Sequence, residues 1–409
     1  MRVLLEPQPR VCTASIGIWF DAGSREDPAA AGGAAHLLEH LVFKGGRHLG
    51  ARKLAEAMDA LGGQFNAFTT REHTCFHART LGSRLPEALD LIAEMVVSPR
   101  CDPTEVERER LVVLDELSMI GDDPAETADE LFSAALWGDH PLGRPQAGTT
   151  QSVRRLDAHA LQAFHARHYV GGRCVVAAAG RFRADALLAA IEAALGGLPS
   201  GGEAVCRPRP APLGRPYRRT RRSQQAHLVL GTPGPGQADP DRWTASLFAS
   251  ILGGSPSSRL FQALREERGL CYDVGANFTE YSDVGEVSVF LATGPADAKA
   301  AAALMLQEIG RLAADGPTAV ELRRHQDQLV AAVHMSQDGT EARMSRLGRQ
   351  AVAGLPLLPA AQVVSELRHV SRRAVQAFAA GLGDPGGWAA AYVGPKAAVP
   401  EPWAWEEEA

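Results

Sequence analysis

Two histidines four residues apart, with a glutamate between them, are the groups in this chain best suited to chemistry: His36-Leu-Leu-Glu39-His40. On a helix, positions i and i+4 share a face one turn apart, so His36 and His40 can present imidazole nitrogens to a single tetrahedral zinc ion. Glu39 is adjacent to one histidine and three residues from the other, within reach of a zinc-bound water without taking a coordination position. Zinc lowers the pKa of such a water, a carboxylate can take the proton, and the hydroxide can attack a peptide carbonyl. The same residues could be no more than a polar stripe on an amphipathic helix. Their surroundings argue for the metal: Gly and Ala residues predict two helical turns before the motif, and Leu37, Leu38, Leu41 and Val42 surround it. That places the motif on a buried helix, where polar groups need a partner.

A catalytic zinc usually takes three protein ligands and leaves one position for water. The helical stretch Thr104 to Met119 offers Glu105, Glu107, Glu109, Asp115 and Glu116. Glu109 and Glu116 lie two turns apart on nearly the same face, so Glu116 can ligate while Glu109 supports the site from behind. Composition alone does not choose among these acids.

The elements that must position these groups come in two similar series. Residues 1 to about 200 alternate strand-like runs (Ala14 to Phe20, Cys174 to Ala179) with helical stretches (Ala51 to Leu61, Arg84 to Val96, Thr104 to Met119, Ala184 to Leu195), an α+β pattern. Gly196 to Gly202 and Arg207 to Pro212 are rich in Gly and Pro and carry no period, which predicts a linker over 201–220. Beyond it, Gln225 to Gly231 and Val284 to Ala292 read as strands, and Arg242 to Leu252 and Ser257 to Glu267 as helices. Asp102-Pro-Thr-Glu-Val-Glu and Gly316-Pro-Thr-Ala-Val-Glu each open a helix, with proline just inside its start. A duplicated domain is expected, one copy over 1–200 and one over 221–409. The stretch Phe68 to Arg79 alternates like a strand, so His73 and His77 are expected at the surface and not as a second metal site. The tail Trp403-Ala-Trp405-Glu-Glu-Glu is expected to be solvated.

The chain has 409 residues, 45% hydrophobic and 22% charged, with a formal net charge of −6. This is ordinary soluble globular composition with room for two to three domains, and it gives nucleic acid or an anionic membrane no electrostatic attraction. The one basic cluster, Arg215 to Arg222, is short. Six cysteines without a CxxC pair or regular spacing argue against a disulfide framework and a cysteine zinc site. The first residues lack a charged segment followed by a long apolar one, and nothing later reaches the ~20 apolar residues of a membrane span. A cytoplasmic location is expected.

Further segments carry a resemblance: Gly62-Gly63-Gln-Phe-Asn66-Ala67-Phe-Thr69 with Glu72 and Thr74, His140-Pro141-Leu-Gly143, and Gln225-Ala-His-Leu-Val-Leu-Gly. With the HxxEH motif and the acidic helix after it, they make the chain resemble the M16 (pitrilysin, or inverzincin) metallopeptidases nearly end to end. The resemblance implies two homologous α+β domains, each a mostly antiparallel sheet packed against helices. It implies that His36, His40 and Glu116 bind Zn2+, that Glu39 is the base and that Glu109 is the second acid of the glutamate helix. Asn66 and Ala67 match an edge strand that pairs with the substrate backbone as an added strand. The second half lacks any HxxEH, so one zinc per chain is expected. Two departures stand out: Phe76 where tyrosine is common, and Val170-Gly-Gly-Arg173 in place of a turn with proline and asparagine.

In the second half, Arg265 and Tyr272 match an arginine and tyrosine that in the family reach the zinc centre of the opposing catalytic half and hold the substrate carbonyl, donors suited to a developing oxyanion. Family members of this length pair into a clamshell. This chain carries both the zinc motif and the Arg/Tyr pair, so a homodimer is expected, with Arg265 and Tyr272 of one chain serving the zinc of the other. The activity implied is hydrolysis of peptide bonds in short or unfolded polypeptides. The alternatives are a dedicated processing peptidase that removes leaders or presequences with a partner chain, and a non-proteolytic structural subunit.

Overall fold

A computed structural model describes residues 1–202 and 205–407, so positions 203 and 204 of the expected linker and Glu408 of the tail lie outside the described residues. The chain forms two compact units, and they are interleaved. The first comprises 1–117, 145–206 and 334–357, the second 118–144, 207–333 and 358–409. The contiguous halves expected above therefore each give one segment to the other unit.

The first unit is built on a five-stranded sheet of β1 (Arg2–Pro7), β2 (Thr13–Phe20), β3 (Gln64–Thr69), β4 (Thr74–Leu81) and β5 (Cys174–Gly180), in the order β1-β5-β2-β4-β3. Only the β1/β5 pair is parallel. Ile16, Ile18, Phe20 and Phe76 point to one face, where they meet buried leucines of helices Ala34–Val42 and Leu85–Val97. Trp19, Cys75, Val175 and Ala177 point to the other, as the period of two demands. That second face is covered by the helix Thr340–Val352, through Met344, Leu347 and Ala351. The approach is close at Gly348, where an added Cβ would meet the Trp19 ring at 2.2 Å.

The second unit repeats the connectivity. Its strands are β6 (Pro216–Thr220), β7 (Ala226–Gly234), β8 (Cys271–Glu280), β9 (Gly285–Thr293), β10 (Ala389–Gly394) and β11 (Glu406–Glu407), in the order β11-β6-β10-β7-β9-β8. β6 and β10 are parallel as β1 and β5 are, and the remaining pairs follow the same antiparallel pattern, with β11 added in parallel to β6. The helix Pro124–Trp137, from the exchanged segment, packs Leu131, Phe132 and Ala135 on β7 and β10.

Three expectations need correction. The predicted linker ends in a strand, because β6 occupies 216–220 and fills the place β1 fills in the first unit. The tail is solvated only in part: Trp403 is 7% exposed and Trp405 donates from Nε1 to the Pro400 carbonyl at 2.7 Å, while Glu406–Glu407 is exposed and pairs with β6. The helix expected over Ser257 to Glu267 is present but shorter, over 259–266, and its Phe261–Glu266 part is π-helical. The six cysteines are free, and four of them are buried.

Candidate metal centre

The motif helix runs Ala34–Val42. Ala29–Ala31 form a separate 3-10 turn and Gly33 takes a left-handed φ of 90°, so the run of Ala and Gly does not continue the helix backward as expected. An added Cβ at Gly33 would lie 2.4 Å from the Ala147 carbonyl, which no side chain tolerates. The Asp27 carboxylate accepts from the N–H groups of Gly33 at 2.7 Å and Ala35 at 2.9 Å and thus satisfies the start of the helix. Burial pushes Asp27 up to about 7, against the pull of these backbone donors. Leu37, Leu38, Leu41 and Val42 are fully buried. Each contributes about 1.5–3 kcal/mol on burial, so the orientation that turns His36, Glu39 and His40 the other way is well determined.

The opposing carboxylates come from the long helix Pro103–Asp122. Glu116 Oε2 lies 3.5 Å from His40 Nε2 and 4.0 Å from His36 Nε2. One ligand atom from each of the three residues falls within 4.8 Å of the others, and this is the only such group among the described residues. Zinc bonds of about 2.0–2.1 Å in a tetrahedral site put ligand atoms about 3.3–3.4 Å apart, so the set fits zinc with a small closure. Burial first, and then the neighbouring His40, hold His36 down to about 4, which keeps its imidazole neutral and its lone pair available.

Glu109 is 6% exposed and stands on the other side of His40. Its Oε2 is 3.6 Å from His40 Nδ1, and its Oε1 takes a 2.8 Å bond from Lys44 Nζ. A carboxylate facing the non-ligating nitrogen orients a metal histidine and raises its basicity. Among the described residues His36 has no such support, since its buried Nδ1 finds no hydrogen-bond partner there. Burial raises the pKa of Glu39, opposed by its neighbours Thr69 and His40.

Asn66 and Ala67 lie in β3, the edge of the first sheet. Asn66 Oδ1 accepts from the Ala67 N–H at 2.9 Å. His73 and His77 are half-buried and not at the surface. The His77 side chain is 11% exposed, with Nδ1 3.7 Å from Glu341 under the covering helix. Arg265 and Tyr272 are brought together in the second unit: the guanidinium lies over the Phe261 ring at 4.8 Å and the Tyr272 ring at 5.6 Å. Tyr272 falls at a register shift between Cys271 and Asp273 and is 72% exposed, as a bulge that turns a side chain out of the sheet permits. Lys44, Thr69 and Asp27 had no assigned role in the sequence. Lys44 alone left a signal there, four residues after His40, the spacing of one helical turn, although the helix itself ends at Val42.

Two imidazoles and a carboxylate converging on one point, with a second carboxylate held beside them, are the donor set of a zinc hydrolase. The description "Insulinase (Peptidase family M16)" matches residues 2–150, and "Peptidase M16 inactive domain" matches 155–329. A Mycobacterium tuberculosis protein named as a zinc protease is 42% identical over 357 residues, covering 85% of this chain and 81% of the relative. The zinc protease YmxG of Bacillus subtilis is 31% identical over 379 residues, covering 93% and 92%. The chain belongs to the M16 family of zinc peptidases. The fold agrees with a Pseudomonas fluorescens structure described as a peptidase M16 inactive domain (TM-score 0.91, 24% identity, 98% and 96% covered) and with a Helicobacter pylori protease (0.88, 19%, 96% and 96%).

Proposed function

We propose that the chain is a zinc-dependent endopeptidase acting on short or unfolded polypeptides, with one zinc per chain held by His36, His40 and Glu116. The observation that supports this most is their convergence within 4.8 Å beside Glu39. A bound zinc supplies Lewis acidity toward a peptide carbonyl and acidifies water at the site. Glu39 takes a proton from that water on its carboxylate and returns it to the departing amine. Glu109, with its charge balanced by Lys44, keeps His40 in one orientation. The open edge of β3 offers the Ala67 N–H to a substrate strand once Asn66 Oδ1 turns aside.

The working form in this reading is a homodimer in the cytoplasm, with Arg265 and Tyr272 of one chain donating hydrogen bonds to the substrate carbonyl at the other chain's zinc. Among the described residues no helix is long and apolar enough to cross a membrane. The test is cleavage of a mixed unfolded-peptide library by the purified chain, read by mass spectrometry with and without a zinc chelator. Chelator-sensitive cleavage is expected. A folded, zinc-loaded protein that cleaves nothing would sink the reading in favour of a structural subunit or a processing enzyme that needs another chain.

A further inference from the structure

Leu37, Leu38 and Leu41 of the motif helix share one core with Phe65 and Ala67 of β3. Such contacts hold helix and strand together but do not fix how far the helix stands along the strand, because the hydrophobic effect has no direction. Hydrogen bonds do have one, and residues 23–27 supply them to both sides. At one end the Ser24 N–H donates to the Thr70 carbonyl at 3.1 Å and the Arg25 N–H to the Arg71 carbonyl at 2.8 Å, on the turn that follows β3. At the other, the Asp27 carboxylate takes the N–H groups of Gly33 and Ala35, just before His36. Between them, Arg25 Nη1 donates to Glu72 Oε1 at 2.6 Å, with side chains 2% and 9% exposed. Glu26 Oε2 accepts from the Gly23 N–H at 2.7 Å, and an added Cβ at Gly23 would come within 2.3 Å of the Thr70 carbonyl. A charged pair this deep adds little net stability, since desolvating two charges offsets their attraction. The best-attested use of such a pair is to fix a register.

We propose that Arg25 and Glu72 are positioning residues. They pin the strap of residues 23–27 to the β3–β4 turn and so set where the helix of His36, Glu39 and His40 stands along the edge strand that takes the substrate. This rests on the reading of the chain as a zinc peptidase whose substrate pairs with β3. The three proposed zinc ligands come from the helices Ala34–Val42 and Pro103–Asp122 and none from β3. Loosening the strap therefore leaves the ligands together and moves the substrate carbonyl away from Glu39.

The experiment compares Arg25→Met, Glu72→Gln, the two combined, and Gly23→Ala, which crowds the strap without touching its charges. The readouts are kcat, KM and zinc content on a fluorogenic unfolded peptide, with urea midpoints alongside. Each single charge variant is expected to be destabilised, because it strands the other buried charge, and the combined variant to regain most of the lost midpoint. In all four, kcat is expected to fall on the order of 10²-fold, the cost of reacting groups misplaced by about 1 Å, with KM and zinc content near parental. A combined variant with its midpoint regained and parental kcat would show a merely structural pair and overturn the proposal. Zinc lost in step with kcat also overturns it, since the strap would then be holding the ligands. Amide exchange in the zinc-free parent needs neither turnover nor a folded variant. The N–H groups of Ser24, Arg25, Gly33 and Ala35 are expected to share one protection factor, as members of one cooperative unit do. Separate protection levels at the two ends of the strap overturn the proposal. A parent that cleaves nothing instead overturns the peptidase reading and is told apart by the exchange result, which still stands.

Discussion

In the proposed reading of the metal centre, ligation and proton transfer belong to different side chains, so substitutions separate them. Glu39→Gln keeps the size and hydrogen-bonding reach of the side chain but removes the proton acceptor. Zinc content should stay at the parental level while kcat falls by about 10²–10⁴-fold, the usual value of a positioned base. Metal analysis beside a peptide assay checks both halves. Glu116→Ala removes one of the three proposed ligands and should leave the purified protein largely without zinc; parental zinc content would strike Glu116 from the set. Glu109→Gln should weaken zinc binding by about 10–100-fold, as loss of an outer partner of a metal histidine does, measured by competition with a chelator of known affinity. The histidines and Glu39 were legible in the sequence because i, i+4 spacing is a local relation. Glu116 was not separable from its neighbours by spacing. The structure separates them: Glu105 and Glu107 are paired with Arg108 and Arg110 at 2.6 Å, Glu109 is buried behind His40, and Glu116 faces both histidines.

On the scale of elements, the motif helix is held at its start by Asp27, a buried carboxyl whose pKa is raised to about 7. A carboxyl with a raised folded-state pKa binds its proton more tightly in the folded chain. The stability it contributes is complete below its ordinary range near 4 and is lost as pH rises through about 7. Asp27→Asn cannot ionise, so the stability of the parent relative to this variant should fall between pH 4 and 7. Urea midpoints of the zinc-free proteins at pH 5 and pH 8 check it, and an equal difference at both would show that Asp27 does not titrate in this window. Most elements were visible in the sequence, since β2, β5 and the helices Ala51–Ala60 and Ala184–Leu195 follow their apolar periods to within a residue. Which sheet a helix covers was not visible. Thr340–Val352 and Pro124–Trp137 present apolar stripes like any others, and only tertiary packing on Trp19 or on β7 and β10 assigns them. Trp403 and Trp405 misled for the same reason: a terminal strand is recognised by its partner β6, which lies almost two hundred residues earlier.

For the whole molecule, the proposed division of labour has a sharp consequence, because the zinc set lies in the first unit and Arg265 and Tyr272 in the second. In a two-fold homodimer every chain gives to its partner what it receives. If the Arg/Tyr pair acts across the dimer, a chain with Glu39→Gln still has a good pair to offer, and a chain with Arg265→Ala still has a good base. Each variant alone should be inactive or nearly so. Mixed in equal amounts and allowed to exchange subunits, random pairing makes half the dimers mixed, each with one complete site, so activity should recover to about a quarter of the parental value per chain. If the pair served the zinc of its own chain, no pairing would restore a complete site and the mixture would stay silent. Sedimentation of the parent under assay conditions must show a dimer for the comparison to bear on the question. A monomer with full activity would remove the trans arrangement altogether and place both halves of the chemistry within one chain.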